Sequence, residues 1–259
     1  MKFQRTQLIS NSNMRHLIFI LCFIFIVPSR GQFLDSFTIS YVKKTNLHKA
    51  LGDEPWTEQM KKVIPKYVND QYLLTYKNGI SFYKGVVSEE DKNKVSQTPE
   101  WLHAGVAGIE IIQTKDSFRM RKEVMDVKLQ IVDTAFKFNW KINGTDKRTI
   151  AGYSCRKAVA TFNDSILIYA FYAEELMAPV GPEAICGLPG AILGVGIPKY
   201  NVTWFANKVE VHANGFQAKL LPKKKEKTYS LLTFKNEMKS IWGGRWDKRG
   251  ETMFWKMLF

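Results

Sequence analysis

Two of the three cysteines, three of the four histidines and a few carboxylates, all beyond the first 31 residues, are the groups through which this chain could do chemistry. Cys155 and Cys186 stand 31 residues apart. Thiols at that separation can bridge, but no Cys-x-x-Cys occurs that would make a local redox or zinc motif. His48, His103 and His212 are far apart, with no His-Glu-x-x-His and no His-x-His. A metal site would need the fold to bring all three together. Ser154 lies in a strand-like run without the Gly-x-Ser-x-Gly elbow that would present it as a nucleophile. Gly194-Val195-Gly196 echoes a dinucleotide loop but lacks a third glycine and a following helix. Glu89-Glu90 and Glu174-Glu175 are adjacent pairs, and neighbours on a strand point to opposite faces, so neither forms an acid–base couple. Asn143, Asn163 and Asn201 each begin Asn-x-Ser/Thr, which matters only in a host that glycosylates it. The sequence therefore assigns no catalytic, cofactor-binding or metal-binding residue.

The compartment follows from the first 31 residues. Lys2, Arg5 and Arg15 form a basic start without an acid, and Leu17–Val27 is an unbroken apolar run. Pro28 ends the run, and Ser29-Arg30-Gly31 places small residues before a cut at Gln32. That order is a secretory signal peptide. A retained anchor is the alternative, but the run is shorter than the roughly 20 residues that span a bilayer core. Ile20 and Leu21 stand before Cys22 where lipidation needs small residues. Cleavage removes four basic residues and no acid, leaving 34 basic against 24 acidic residues, a net charge of +10. In an exported chain this balance fits anionic headgroups, surface polysaccharide or simply a solvated basic face, and nucleic acid is not an expected partner. Cys155 and Cys186 then share an oxidising space. A disulfide between them is the favoured expectation and would contribute about 3–4 kcal/mol. The other reading is two buried thiols that never meet.

Strands dominate the mature chain. Phe37–Val42 alternates apolar and polar residues. Trp56, Met60, Val63, Ile64 and Tyr67 recur at helical spacing after Asp53-Glu54-Pro55. Gln71–Tyr76 and Ile80–Tyr83 flank Asn78-Gly79, a strong hairpin signal. Phe136–Asn143 alternates as a half-buried strand should, and Gly152–Phe162 with Ser165–Tyr172 form a second hairpin around Asn163-Asp164. Val202–Phe205 and Val209–His212 bracket Asn207-Lys208, while residues 88–100 read as a charged surface loop. After the basic run Lys223–Lys227, the residues Phe234, Met238, Ile241 and Trp242 mark an amphipathic helix that Gly243-Gly244 stops. Trp246, Phe254, Trp255, Leu258 and Phe259 give an aromatic tail among basic residues. Such a tail docks on the core, stays disordered or makes weak contact with a membrane surface. The organisation is a signal peptide at 1–31, a mainly β domain at 32–213 and a basic, aromatic extension at 214–259.

The most distinctive stretch is Gly187-Leu188-Pro189-Gly190-Ala191-Ile192-Leu193. Leu188–Ala191 reads as a type II turn, with proline fixing the first central φ and Gly190 supplying positive φ at the second. Gly187 would permit a close backbone approach. This stretch follows Trp140-Lys141-Ile142, Ile150–Ala158 and Gly181-Pro182 in an order similar to that of the GLPGLI family (also called the Porph_ging family), exported proteins mainly of Bacteroidetes-type bacteria. The resemblance spans roughly residues 37–213. Ala191 departs from the usual leucine, and Glu183-Ala184-Ile185-Cys186 replaces the usual run before the turn. The resemblance implies a large curved antiparallel sheet or half-barrel with one or two helices packed across it. It also implies an envelope or periplasmic role, in many members beside TonB-dependent outer-membrane receptors.

Three functions are open at this point. A curved sheet crossed by the helix at 54–64 could carry a hydrophobic or peptide ligand. An interaction module docking on an outer-membrane receptor would show exposed tail aromatics. A hydrolase ranks last, because nucleophile, base and orienting group are missing as local motifs. The exported protein should begin at Gln32; intact mass and N-terminal sequencing check this, and a retained segment at residues 1–31 would leave the anchor reading.

Overall fold

Alternation in the chain builds one wide sheet, whose concave side is covered from two directions. The computed structural model describes residues 36–87, 98–99, 102–103, 108–124, 127–212 and 227–259. The signal segment, most of the charged loop at 88–100 and the basic run at 223–226 lie outside the described residues. The strands are β1 (Ser36–Asn46), β2 (Tyr67–Lys77), β3 (Ile80–Val86), β4 (Glu110–Gln113), β5 (Ser117–Val124), β6 (Val127–Thr134), β7 (Lys141–Ile150), β8 (Tyr153–Phe162), β9 (Ile166–Ala173), β10 (Ala191–Ile197), β11 (Val202–Val211) and β12 (Thr228–Tyr229). Their spatial order is β12-β6-β5-β4-β3-β2-β1-β11-β10-β9-β8-β7. Every pair is antiparallel except β12 with β6. The sheet is mainly antiparallel and open, since β7 and β12 end it without pairing each other.

Both expected hairpins form. Asn78 and Gly79 have φ of 48° and 82°, and Asn163 and Asp164 have φ of 46° and 57°. Positive φ at both central residues is what a turn matched to strand twist requires. Period-2 alternation then lines one face with apolar groups. Ile39, Leu74, Tyr83, Ile111, Met120 and Ile131 stand in register from β1 to β6, and all are buried. At about 25 cal/mol per Å² of apolar surface, such rows supply most of the folding drive.

Three expectations change. Residues 136–140 form no strand. The chain must pass there from β6, near one edge, to β7, at the other, so it has no neighbour to pair with. Its aromatics cross the concave side instead: Phe136 meets Phe118 at 4.8 Å between ring centroids, and Phe138 meets Phe162 at 5.3 Å. Residues 202–211 form one strand without a turn at Asn207-Lys208. Ser40 pairs with Lys208 and Tyr41 with Ala206, so Asn207 is the extra residue of a bulge. Helix α1 (Leu47–Leu51) and the expected helix α2 (Pro55–Val63) stay off the main core. Leu47, Leu51, Ile64 and Leu102 form a separate small cluster, while Trp56 and Val63 are exposed.

The helices that cover the concave side come from the C-terminal extension. Helix α3 (Leu231–Trp242) starts at Ser230 and Thr233, which cap each other's backbone, and α4 (Lys248–Leu258) starts on the Asp247 side chain. Phe234, Phe254, Trp255, Leu258 and Phe259 are buried in the main core. The tail is docked, and its aromatics point inward instead of offering an exposed footprint. Phe259 meets Phe136 and Phe162 at 5.8 and 5.6 Å.

The Cys155–Cys186 disulfide is not formed; both thiols are free and buried. Cys155 lies on β8 with its thiol directed at the Tyr153 carbonyl (3.5 Å), whereas the Cys186 thiol points to the Phe136 carbonyl (3.5 Å) on the crossover. Separation in sequence sets the entropy of a closed loop, but the strand and the crossover aim the two sulfurs at different partners.

The two glycines of the signature exchange their expected roles. Gly187 has φ of 91° and Gly190 does not have positive φ. At Gly190 an added Cβ would fall onto the Ala173 carbonyl at the end of β9. Gly190→Ala should therefore cost more than about 3 kcal/mol through backbone displacement, and Gly187→Ala roughly 1–3 kcal/mol through strain alone. Urea midpoints of the two variants check this ranking.

Candidate functional site

The inward positions of β1 and β5 are apolar until each strand reaches a lysine. On β1 the face runs Phe37, Ile39, Tyr41, Lys43; on β5 it runs Phe118, Met120, Lys122. Both ammonium groups are thereby carried onto the concave side. Between them sits Glu183, fully buried at 0 % exposure. It belongs to the turn Pro182–Ala184, where Glu183 and Ala184 take φ of 52° and 62°, costly for residues with side chains.

The long connection from β9 to β10 holds that turn in place. Ala191 N donates to Leu176 O, Ile192 N to Val180 O and Gly187 N to Pro179 O, at 2.8, 2.8 and 3.3 Å. Gly190 seats the end of the connection on β9. Gly187, Leu188, Pro189 and Gly190 thus have a structural role, and what they fix is the loop that delivers Glu183. Gln113 Nε2 donates to Ala184 O at 3.3 Å, and Trp140 Nε1 donates to Cys186 O at 2.8 Å, pinning the end of the turn and the residues that leave it.

Glu183 Oε1 accepts from Lys43 Nζ at 3.3 Å. Oε2 lies 3.2 Å from Lys122 Nζ, an ion pair without hydrogen-bond geometry. Each lysine also donates to the last turn of α4. Lys43 Nζ reaches Phe259 O at 2.6 Å, and Lys122 Nζ reaches Met257 O and Leu258 O at 3.2 and 2.8 Å. The end of a helix leaves its carbonyls unpaired and carries partial negative charge, so the two ammonium groups complement it. Lys43 Nζ also sits over the rings of Trp204 (4.7 Å) and Tyr72 (5.9 Å). The Lys256 ammonium of α4 is held below its ordinary value by burial and then by the charge of Lys43.

Aromatic hydroxyls complete the wall. Tyr72 and Tyr83 stack at 5.0 Å, and Tyr41 OH donates to Ile192 O at 2.6 Å. Tyr83 OH, Trp204 Nε1, Gln113 Oε1 and Glu183 Oε2 are buried around the cluster, and the Trp204 side chain donates to the Tyr83 oxygen.

The sequence-derived candidates fall elsewhere. His48 Nε2 lies 3.2 Å from Ile64 O, His103 Nε2 is 3.1 Å from Asp70 Oδ1, and His212 Nε2 is 2.8 Å from Thr38 Oγ1, so the fold does not bring the histidines together. Among the described residues no group of three His, Cys, Asp or Glu could hold a metal ion. Burial pushes the Cys155 thiol up to about 11, and raises Cys186 as well, so neither is a thiolate nucleophile near neutral pH. Among the described residues no helix is long and apolar enough to cross a membrane. The sequence reading missed Lys43, Lys122 and Glu183. The two lysines had a signal, a cation at an inward position of an alternating run.

No family model matches the chain, and no curated protein matches it. Solved structures match the chain at low sequence identity. PNGF-II is 15% identical with a TM-score of 0.50; the match covers 82% of this chain and 34% of that one. An uncharacterised conserved protein from Thermus thermophilus is 5% identical, with a TM-score of 0.39 and coverage of 78% and 93%. MucB, solved in complex with the periplasmic part of MucA, is 9% identical, with a TM-score of 0.36 and coverage of 75% and 57%. The chain spans about one third of PNGF-II, and this likeness establishes the fold alone.

Stability should fall in alkali. Burial raises the Tyr41, Tyr72, Tyr83 and Tyr200 phenols, with Glu183 adding to it at Tyr72 and Tyr83. Groups whose folded values exceed their unfolded ones stabilise below the unfolded value and lose that contribution as pH rises. Unfolded thiols ionise near about 8.5 and phenols near about 10, so the decline should run from about pH 8.5 upward. Lys122 works in the opposite sense, its ammonium lowered by burial against the opposing pull of Glu183, and the buried phenols outnumber it. Urea midpoints from pH 7 to 11 test the sign; a rise above pH 9 would overturn it.

Proposed function

We propose that this chain is an exported binding module of the cell envelope, of the GLPGLI kind, whose concave face holds a polypeptide segment. The observation that carries the reading is the partly buried Lys43 and the buried Lys122, both paired to Glu183, donating to the main-chain oxygens of Met257, Leu258 and Phe259. The apolar wall around them accepts aromatic side chains, as it accepts Phe254, Trp255 and Phe259. Dedicated binding of a protein partner, such as an outer-membrane receptor, follows more directly than transport of a small hydrophobic ligand. A catalytic role has no support in the site, since Glu183 is closed off and its lysines are engaged.

Native mass spectrometry of residues 32–259, exported to a periplasm and purified without detergent, tests this. A bare protein mass is expected, because α4 fills the concave side. A discrete mass excess that leaves on denaturation would favour the carrier reading.

A further inference from the structure

The convex side of the sheet carries a cleft that the concave site does not use. Side chains alternate along a strand, so Lys43 and Thr45 of β1 face inward while Lys44 and Asn46 face the other way. Thr203 of β11 stands in register with Lys44, and Gly196 of β10 stands in register with Thr203. These three residues line a hollow of about 310 Å³. It shares Asn46, Lys49, Tyr67 and Asn201 with an adjoining hollow of about 510 Å³. Spaces of about 300–1,000 Å³ take small molecules. The lining is cationic. Lys61 is paired with Asp53 and Glu58 at 3.1 and 2.8 Å, and Asp53 is the carboxylate that the lining contains. Among the described residues, Lys44, Lys49 and Lys66 meet no carboxylate. The half-exposed Tyr67 ring orients two of them, with Lys44 Nζ at 4.1 Å and Lys66 Nζ at 5.5 Å from its centroid. Gly196 is an independent observation. Glycine inside a strand weakens it, and it often marks the close approach of a ligand or another backbone. Gly196 does not have positive φ, and an added Cβ would meet Thr203 Cγ2 at an ordinary 3.8 Å. At Gly194, on the same face, a Cβ would press on Ile150 and Phe205 at 3.0 Å. Packing therefore accounts for Gly194 and not for Gly196, whose missing side chain deepens the cleft.

We propose that this cleft binds an acidic saccharide, with its anionic groups among Lys44, Lys49 and Lys66 and a sugar ring over Gly196. Three ammonium groups without a carboxylate call for more than one negative charge on the ligand. The amides of Asn46 and Asn201 and the Thr203 hydroxyl share the same lining and supply donors and acceptors for ring hydroxyls. The lining thus suits a ligand that is both anionic and hydroxylated. Lys43 and Glu183 lie on the opposite face of the sheet, so this site goes beyond the polypeptide reading and stands without it.

The test is calorimetric titration of the full mature chain at low ionic strength with tetragalacturonate, and with maltotetraose as its neutral counterpart. Tetragalacturonate should bind at least about tenfold more tightly than maltotetraose. Replacing two exposed lysines together, Lys44→Gln with Lys66→Gln, should weaken that binding at least about tenfold. Gly196→Val should weaken it as much by filling the floor of the cleft. Gly196→Ala adds the Cβ alone and should not lower the urea midpoint. Lys141→Gln with Lys147→Gln removes the same charge from the exposed edge strand β7 and should change binding by less than about twofold. No binding of tetragalacturonate, equal binding of maltotetraose, or equal weakening by the β7 pair would overturn the proposal. A lower urea midpoint for Gly196→Ala would return that glycine to packing and would also overturn it. So would binding to phosphatidylglycerol vesicles, lost with Lys44 and Lys66, in a chain that ignores tetragalacturonate, because the cleft would then take a lipid headgroup.

Discussion

A carboxylate with no solvent exposure would cost several kcal/mol if it stood alone, and Glu183 stands at the centre of the concave side. Lys43 arrives from β1 in the middle of the sheet and Lys122 from β5 toward one edge. Glu183 arrives on the connection between β9 and β10 in the other arm. The pairing therefore ties three distant parts of the chain to one point. Removing Glu183 leaves two ammonium groups without their carboxylate, and removing either lysine leaves Glu183 with one ion-pair partner, so each constrains the other two. The strained backbone at Glu183 and Ala184 belongs to the same arrangement, since an ordinary turn would not aim this carboxylate between two lysines.

The openness of the sheet sets the second constraint. A closed barrel would bury its interior with its own strands; here β7 and β12 remain edges and the concave side needs cover. The crossover at residues 135–140 and helices α3 and α4 provide it, with Phe136, Phe138, Phe162 and Phe259 in one aromatic cluster. At its exposed edge, β7 carries Lys141, Lys147 and Arg148 and a bulge between Asn143 and Lys147, which discourage pairing with another chain.

The signature stretch connects these constraints to the sequence. Pro189 and the two glycines read as a turn entering a core strand, and that is where they lie. Their significance differs from a turn alone, because Gly190 lets the connection press against β9 and thereby fixes the loop that carries Glu183. The mid-chain alternation at Phe136–Asn143 misled for a related reason. Aromatics at every second position fit a strand and fit equally an extended segment laid across a core, and only the position of β6 and β7 at opposite ends of the sheet distinguishes them.

Local pattern was enough for the features that depend on neighbours in sequence. The Asn78-Gly79 and Asn163-Asp164 hairpins, the alternating strands, the amphipathic helix ending at Gly243 and the mainly β class were all legible, because turn φ preferences and side-chain periodicity act over a few residues. Lys43, Lys122 and Glu183 lie up to 140 residues apart, and no spacing rule joins them. The fate of the two thiols, the placement of α2 outside the main core and the inward docking of the aromatic tail were likewise decided in three dimensions. Each depends on which faces the sheet's curvature brings together, and that is a property of the whole chain rather than of any segment of it.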